Sequence, residues 1–174
     1  SSYKGKYLAT VTVRRDASSR FGEDNRWGTF PSVNVMWRLG QEKFIKDNFE
    51  WITDAKIRGS DGILGNDGIG QFLYSRAYVG DQILYAFNGQ QVSGWSNYKV
   101  PNQDIKWEEV HQGDFGIDLS FLNNKLNVTY DYYNRQTRDM LYWKVVPLAS
   151  GINYYHEGAT NTMPINIGKV SNVG

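Results

Sequence analysis

The chain has 174 residues, no cysteine, a formal net charge of +1 and 15% aromatic residues. The absence of cysteine excludes a disulfide scaffold, a thiolate metal site and a cysteine nucleophile. The near-neutral charge gives no indication of a nucleic-acid groove or a polybasic membrane anchor, so neither is expected. No uninterrupted apolar run is long enough for a membrane-spanning helix, which leaves β-strands as the elements that can carry the apolar residues.

Three runs in the first part of the chain alternate between apolar and polar residues with the period of two that is typical of strands. The apolar members are Tyr7, Ala9, Val11 and Val13 in the first run, Val33, Val35, Trp37 and Leu39 in the second, and Ile57 and Ile63 in the third. Arg38, Lys56 and Arg58 fall on the polar sides of the second and third runs. A short helix is predicted between the second and third runs, within Gln41–Ile52.

The next element along the chain is a predicted hairpin whose turn is Asn123 and Asn124. Both arms alternate, and Asn tolerates the left-handed backbone that two-residue turns need. The expected apolar pairs are Phe121 with Leu126, Leu119 with Val128, Ile117 with Tyr130, and Phe115 with Tyr132. Asp114, Asp118 and Asp131 then share the other face, so the ribbon needs an apolar medium on one side and polar surroundings on the other.

Connection lengths give the ribbon an orientation. The turns are short near Lys4–Lys6 and at Asn123–Asn124, whereas the connections over residues 16–26, 65–104 and 138–166 are long and all fall at the other end. This asymmetry is typical of bacterial outer-membrane barrels, whose tilted strands need roughly 9 to 11 residues to cross the membrane. In the absence of lipid, the apolar face should therefore be accessible to solvent, whereas a soluble sandwich would bury it.

About six strands are predicted, including one that begins near Ile167, and this number is too small to close a barrel alone. The predicted fold class is all-β, an antiparallel transmembrane β-barrel segment of a larger barrel. Both ends of the chain look cut from a longer polypeptide. The outer edges of the Tyr7 strand and of the last strand are therefore expected to be unpaired within this chain.

Four stretches carry a resemblance to a known family. They read YKGKYLATVTVRRDASSRFGEDNRWGTFPSVNVMWRL, DAKIRGSDGILGN, NQDIKWEEVHQGDFGIDLSFLNNKLNVTYDYYNRQTRDML and INIGKVSNVG. In order and spacing they resemble the barrel domain of the SusC/RagA family of TonB-dependent outer-membrane transporters, and the segments RRDxSSRFG, NRWGTFPS and xDxKWE make the resemblance specific. The chain departs from the family at Asp61, where an aromatic residue is usual, and at Gln103, where Pro is usual.

The resemblance implies a 22-stranded barrel in the outer membrane of a Gram-negative bacterium, with an amino-terminal plug inside it. Residues 1–174 would be a partial barrel domain, with the plug domain and the signal peptide absent from this chain. The implied partners are TonB, the lipid bilayer, a SusD-like lipoprotein lid and an oligosaccharide or peptide substrate. No cofactor and no catalytic residue is implied, since the family transports its substrates.

Two sets of candidate site residues follow. The charged residues of the polar face are expected to line the lumen and contact the plug; they are Arg38, Lys56, Arg58, Asp114, Asp118 and Asp131. Aromatic residues of the long connections could stack on sugar rings or anchor a protein partner; they are Tyr85, Trp95, Tyr98, Tyr142, Tyr154 and Tyr155. The alternative interpretation of these aromatic residues is that they form a membrane-interface girdle or pack the loops on one another.

Other functions remain open on the residues alone: a siderophore-type receptor, a soluble carbohydrate-binding sandwich, or a glycosidase. Glu108, Asp114 and Asp118 share a face but are spread along one strand, whereas a glycosidase needs two carboxyl groups that flank one bond. The only histidines, His111 and His156, are far apart in sequence and show no metal-ligand spacing. No catalytic, cofactor-binding or metal-binding residue is therefore assigned.

Overall fold

The computed structural model describes residues 1–76, 78–97, 100–147, 149 and 161–174. The elements in chain order are β1 (Ser2–Tyr3), β2 (Tyr7–Ala17), β3 (Trp27–Trp37), α1 (Lys43–Asn48), β4 (Ile52–Asn66), β5 (Tyr78–Phe87), β6 (Gln90–Asn97), β7 (Glu108–Phe121), β8 (Leu126–Arg138), β9 (Leu141–Val145), β10 (Thr162–Asn166) and β11 (Lys169–Val173). Seven strands form one antiparallel sheet in the order β1-β2-β3-β4-β7-β8-β11. None of the helices in the described residues is long and apolar enough to cross a membrane.

The predicted hairpin and its register are confirmed. Strands β7 and β8 pair without a shift from Phe121 opposite Leu126 to Glu109 opposite Arg138. Asn123 and Asn124 have φ angles of 56° and 64°, the left-handed values that a type I′ turn requires at both central positions. Because a slip of one residue would exchange the two faces, this register fixes which side chains point into each medium.

The strands of the sheet agree with the six predicted ones, with the two-residue β1 as an addition. The prediction of a free outer edge on β2 is wrong at its first residues, because Tyr7 and Leu8 pair with Tyr3 and Ser2. Among the described residues, no strand pairs with the outer edge of β2 from Thr10 onward or with the outer edge of β11. The predicted short helix is present as α1.

Two of the long connections contain more structure than predicted. Strand β4 continues to Asn66, which pairs with Glu108, so the glycine-rich stretch after Gly62 begins as strand. The connection that follows carries the β5–β6 hairpin, and the connection after β8 carries the β9–β10 hairpin. Backbone pairing between neighbouring segments outweighed the turn-forming tendency of glycine and asparagine here.

The apolar face of the sheet is accessible, as predicted for a surface that meets lipid. Seven residues of this face test the prediction, and none of them is buried. Four are exposed, namely Val11, Val33, Val128 and Tyr130, and three are half-buried, namely Trp37, Ile117 and Leu119. Val11 is 73% exposed and Tyr130 is 59% exposed. A soluble sandwich would bury these side chains in its core, so that alternative is wrong.

The apolar band also drifts along the strands in the way that tilted strands require. Backbone pairing runs from Tyr7 to Trp37, then to Ile57, Ile117 and finally Tyr130 on successive strands. Tyr7 is the first of the four apolar residues on β2, whereas Tyr130 is the third of the four on β8. The band therefore moves by two apolar positions, or four residues, over four strand steps. With a rise of about 3.3 Å per residue and a strand spacing of about 4.8 Å, this drift corresponds to a tilt of about 35°, within the range of transmembrane barrels.

Candidate functional site

One arginine connects three strands on the polar face of the sheet. Arg58 on β4 lies opposite Gly116 on β7, which in turn lies opposite Asp131 on β8. Because Gly116 has no side chain, the Arg58 guanidinium has room to reach Asp131 across β7. A Cβ atom at Gly116 would lie 2.7 Å from both Arg58 Cζ and Asp131 Oδ1. Arg58 Nη2 donates to Asp131 Oδ1, and Arg58 Nε donates to Asp118 Oδ2 at 3.2 Å.

The carboxylates around Arg58 are further held by neutral donors. Thr129 Oγ1 donates to Asp118 Oδ1 at 3.1 Å, and Ser60 Oγ donates to Asp114 Oδ2 at 3.0 Å. Arg58 thus pairs with two carboxylates, those of Asp118 and Asp131, whereas Asp114, among the described residues, accepts only from neutral donors. Together these four charged groups give the centre of this wall a net charge of about −2. Arg58 is 38% exposed and Asp131 53% exposed, so the Arg58–Asp131 ion pair contributes only about 0 to 1 kcal/mol to stability.

The other two predicted lumen residues lie apart from this cluster. Lys56 Nζ pairs with Asp54 Oδ2 at 2.9 Å, nearer the short-turn end of β4. Arg38 lies just beyond the end of β3, where its backbone N–H donates to the carbonyl oxygen of Lys6 at 2.8 Å. The alternation of the sequence identified the polar face, but it could not tell which charges on that face are neighbours.

An open depression with a volume of about 270 Å³ lies beside Arg58 on this face. Thr10, Asn34, Met36 and Asp114 contribute to its lining. Among the described residues, no three His, Asp or Glu side chains are grouped so that they could hold a metal ion. The arrangement is a polar wall with hydrogen-bonding groups along its length.

The long-loop end contains the buried core, which the sequence did not predict. Phe21, Leu73 and Ile105 are 0%, 6% and 0% exposed, and each comes from a different loop stretch. Trp107 packs on this cluster with its ring centroid 5.2 Å from that of Phe21. We call this assembly of packed loops the loop platform. Isolated apolar residues among glycine, asparagine and aspartate have no periodicity, so no sequence signal was available.

Side-chain hydrogen bonds hold the loop platform together. Ser18 Oγ donates to Asp67 Oδ2 at 2.9 Å, joining the β2–β3 connection to the segment that follows β4. Asn166 accepts from the backbone N–H of Lys106 and donates to its carbonyl oxygen, both at 2.9 Å. Lys106 Nζ pairs with Asp139 Oδ2 at 2.9 Å. The three long connections therefore form one packed unit.

Three of the predicted aromatic residues lie on the hairpins at this end. Tyr85 on β5, Trp95 on β6 and Tyr142 on β9 are 53%, 71% and 60% exposed. The ring of Tyr85 lies against Gly94, and the ring of Trp95 lies against Gly80, where a Cβ atom would be 3.0 Å from the indole. Tyr98, Tyr154 and Tyr155 lie outside the described residues.

Tilted antiparallel strands with one lipid-accessible face, one polar face, short turns at one end and packed loops at the other define a wall segment of a transmembrane β-barrel. The chain belongs to the family described as TonB dependent receptor-like, beta-barrel, whose profile matches residues 2–174.

Individual relatives agree with this assignment. The chain is 38% identical to TonB-dependent receptor P39 of Formosa agariphila over 99% of this chain and 15% of that protein. It is 37% identical to TonB-dependent receptor SusC of Bacteroides thetaiotaomicron over 99% of this chain and 17% of that protein. The chain thus spans about one sixth of the length of these relatives.

Solved structures show the same fold. The structure of the RagAB peptide transporter superposes with a TM-score of 0.79 and 30% identity, covering 99% of this chain and 18% of that one. The RagAB peptide importer in the open-open state superposes with a TM-score of 0.82 and 29% identity, covering 99% of this chain and 17% of that one. The predicted membership of the SusC/RagA group is therefore confirmed.

Proposed function

We propose that the protein containing these residues is a SusC-like TonB-dependent transporter that imports glycans or peptides across the outer membrane of a Gram-negative bacterium. The observation that carries the proposal is the match of nearly the whole chain to TonB-dependent receptor SusC in sequence and to the RagAB peptide transporter in structure. In this proposal residues 1–174 are part of a larger barrel domain, the plug lies elsewhere in the protein, and the protein is not an enzyme.

The polar face would form the lumen wall and contact the plug. Arg58 and the carboxylates of Asp114, Asp118 and Asp131 give this wall a negative centre beside an open depression. A basic side chain of the plug would be attracted there, whereas the weak, half-exposed ion pairs would let it leave when TonB pulls on the plug. Lys56 and Arg38 would contact the plug nearer the periplasm.

The loop platform would receive substrate and a SusD-like lipoprotein lid. Its packed core holds the connections in place, and the exposed rings of Tyr85, Trp95 and Tyr142 are suited to stacking on sugars or to contacts with a protein partner. Tyr98, Tyr154 and Tyr155 belong to the same connections in sequence. Substrate would then pass through the lumen after the plug is displaced.

Deletion of the gene in its native host tests the transport proposal. The deletion strain should lose growth on a glycan or peptide mixture as sole nutrient, and loss of TonB should give the same defect. A strain carrying the full-length protein with Tyr85, Trp95 and Tyr142 changed to Ala should show reduced uptake at normal outer-membrane abundance. A growth defect that occurs only under iron limitation would instead support a siderophore-type receptor, and no TonB dependence would contradict the mechanism.

A further inference from the structure

The short-turn end of the sheet, residues 1–7, 37–56 and 120–127, is enriched in basic and aromatic residues. We call it the periplasmic rim, because short turns face the periplasm in outer-membrane barrels. Seven Lys and Arg side chains oppose four Asp and Glu side chains in these ranges, a net charge of +3, whereas the whole chain has +1. Basic charge is thus concentrated at this end.

Two aromatic stacks continue the lipid-facing surface onto the rim. Tyr7 stacks on Trp37 with 6.0 Å between ring centroids and 20° between planes. Trp51 stacks on Phe121 at 5.5 Å and 18°. Tyr7, Trp37 and Phe121 belong to the apolar face, so the stacks lie where that face ends. Amphipathic aromatic rings at this level are typical of a membrane–water interface.

The distance between interfaces supports this placement. Trp27 and Trp37 lie on the apolar face of β3, ten residues apart, and Arg15 lies over the Trp27 ring at 4.8 Å. Ten residues extend about 33 Å along a strand, or about 27 Å along the membrane normal at a tilt of about 35°. This value is close to the apolar band of about 25 Å in outer-membrane barrels, so the two tryptophans mark its two edges.

Glu42 fixes the connection between β3 and β4 against the rim. Its carboxylate accepts hydrogen bonds from Lys6 Nζ at 2.7 Å, Tyr7 OH at 2.9 Å and Trp37 Nε1 at 3.3 Å. These donors come from the β1–β2 turn, from β2 and from β3. Because Glu42 directly precedes α1, the start of the helix is held at the end of the apolar face.

Helix α1 has two different sides. Helical spacing places Phe44 and Ile45 on one side, with Phe44 51% exposed, and Lys43 and Lys46 on the opposite side. Phe49 and Trp51, which follow the helix, are 40% and 54% exposed. An apolar side opposite a side with lysines is the arrangement of a segment that lies in the plane of a membrane interface.

Four lysines of the rim have no acidic partner among the described residues. They are exposed, and none has a carboxylate within 4.0 Å; they are Lys4, Lys43, Lys46 and Lys125. Lys46 Nζ donates to the neutral Gln41 Oε1 at 2.9 Å, and Lys4 Nζ lies 5.1 Å from the centre of the Tyr3 ring, so their charges are not neutralised. Lys6 and Lys56, by contrast, pair with Glu42 and Asp54 at 2.7 and 2.9 Å. The free positive charge therefore lies at the outer surface of the rim.

We propose that the periplasmic rim binds anionic phospholipid headgroups of the inner leaflet, with Lys4, Lys43, Lys46 and Lys125 contacting their phosphate groups. The aromatic stacks and α1 set the depth, and the lysines supply the preference for negative charge. Asp47 and Glu50 reduce the positive charge without cancelling it. The inference rests on the outer-membrane location proposed above.

Native mass spectrometry of the full-length protein tests the inference. Phosphatidylglycerol and phosphatidylethanolamine with identical acyl chains are titrated separately, and the wild type should bind the anionic lipid at least five-fold more tightly. The variant K4Q/K43Q/K46Q/K125Q should have a preference below two-fold. The corresponding Lys→Arg variant should keep the wild-type preference, because it retains the charge.

A control uses two exposed lysines of the long-loop end. K144Q/K169Q removes charge far from the rim and should leave the lipid preference unchanged. A wild type without preference, a rim variant that keeps it, or equal loss in the control would each overturn the proposal. Uptake measurements on the same variants report on transport separately, so failure of this inference is distinguishable from failure of the proposed function.

Discussion

Neighbouring residues on one strand offer a direct test of which side of the sheet meets lipid. Val128 and Thr129 are both exposed on β8 but point to opposite faces. Val128 lies between Leu126 and Tyr130 in the apolar band, and Thr129 lies opposite Asp118 on the polar face. Replacing each by arginine in turn adds the same charge at almost the same depth, so only the medium differs.

The expected difference in stability follows from the position of Val128, which is one residue from the centre of the apolar run over residues 126–132. Arginine on the lipid face costs about 2 to 4 kcal/mol near the bilayer midplane and about 0 to 1 kcal/mol near the interfaces. Thr129→Arg loses the hydrogen bond to Asp118, about 1 kcal/mol, but the new charge can pair with Asp118 or Asp131. Val128→Arg should therefore be the more destabilising variant by about 2 to 3 kcal/mol, roughly 30- to 150-fold in the folding equilibrium.

Urea titration of the full-length protein in phospholipid vesicles measures this difference. The fraction that keeps the electrophoretic mobility of the folded barrel in unheated gels gives the midpoint for each variant. Val128→Ile serves as a control that keeps the side chain apolar and should match the wild type. Equal midpoints for the two arginine variants, or a lower midpoint for Thr129→Arg, would refute the assignment of the faces.

Two further predictions concern packing and acid stability. Gly65→Ala places a Cβ atom into the buried ring of Phe30 and should lower the free energy of unfolding by about 1 to 3 kcal/mol. In Gly59→Ala the new Cβ atom meets only ordinary contacts at 3.7 Å, so the free energy of unfolding should change by less than about 0.5 kcal/mol. The same urea titration compares the two variants. The hydrogen bond from Lys6 is the main cause that lowers the pKa of the Glu42 carboxyl below its ordinary value. Ionised Glu42 therefore stabilises the fold at any pH above the ordinary pKa of a glutamate, and this stabilisation is lost as the pH falls through the lowered pKa. Glu42→Gln should therefore lower the melting temperature at pH 7 and flatten its decrease under acid, and an unchanged melting curve would contradict this role.

The sheet was predictable from sequence because alternation and turn chemistry agreed there. In the β7–β8 hairpin each apolar residue of one arm had an apolar partner on the other, and Asn123 and Asn124 permitted the turn that this pairing needs. A wrong register would have set Asp118 among lipid-facing residues, so the sequence strongly favours one pairing. Asp61 is an exception to this rule, because it stays in register between Val33 and Gly113 although that position belongs to the apolar face.

Partners on the polar face could not be predicted, because they depend on contacts between residues distant in sequence. Arg58 and Asp131 are 73 positions apart. Their contact depends on Gly116, whose missing side chain leaves room for the guanidinium to cross an intervening strand. The alternating pattern shows only that Gly116 lies on the polar face. Predicting that Arg58 reaches Asp131 across β7 would also have needed the order of the strands in the sheet.

The loop platform and the sheet are stabilised by different surroundings. The sheet exposes both faces among the described residues, so its stability depends on lipid on one side and on further protein on the other. The platform instead buries Phe21 and Ile105 within its own connections and joins them through Asn166 and Asp67. If the proposed function holds, a change in the exposed rings of Tyr85 or Trp95 would therefore alter binding at the loop platform without disturbing either the platform core or the strand register. This separation is the physical reason why one barrel framework can carry loops for different substrates, and why the strand pattern of this chain identifies the framework but not the substrate.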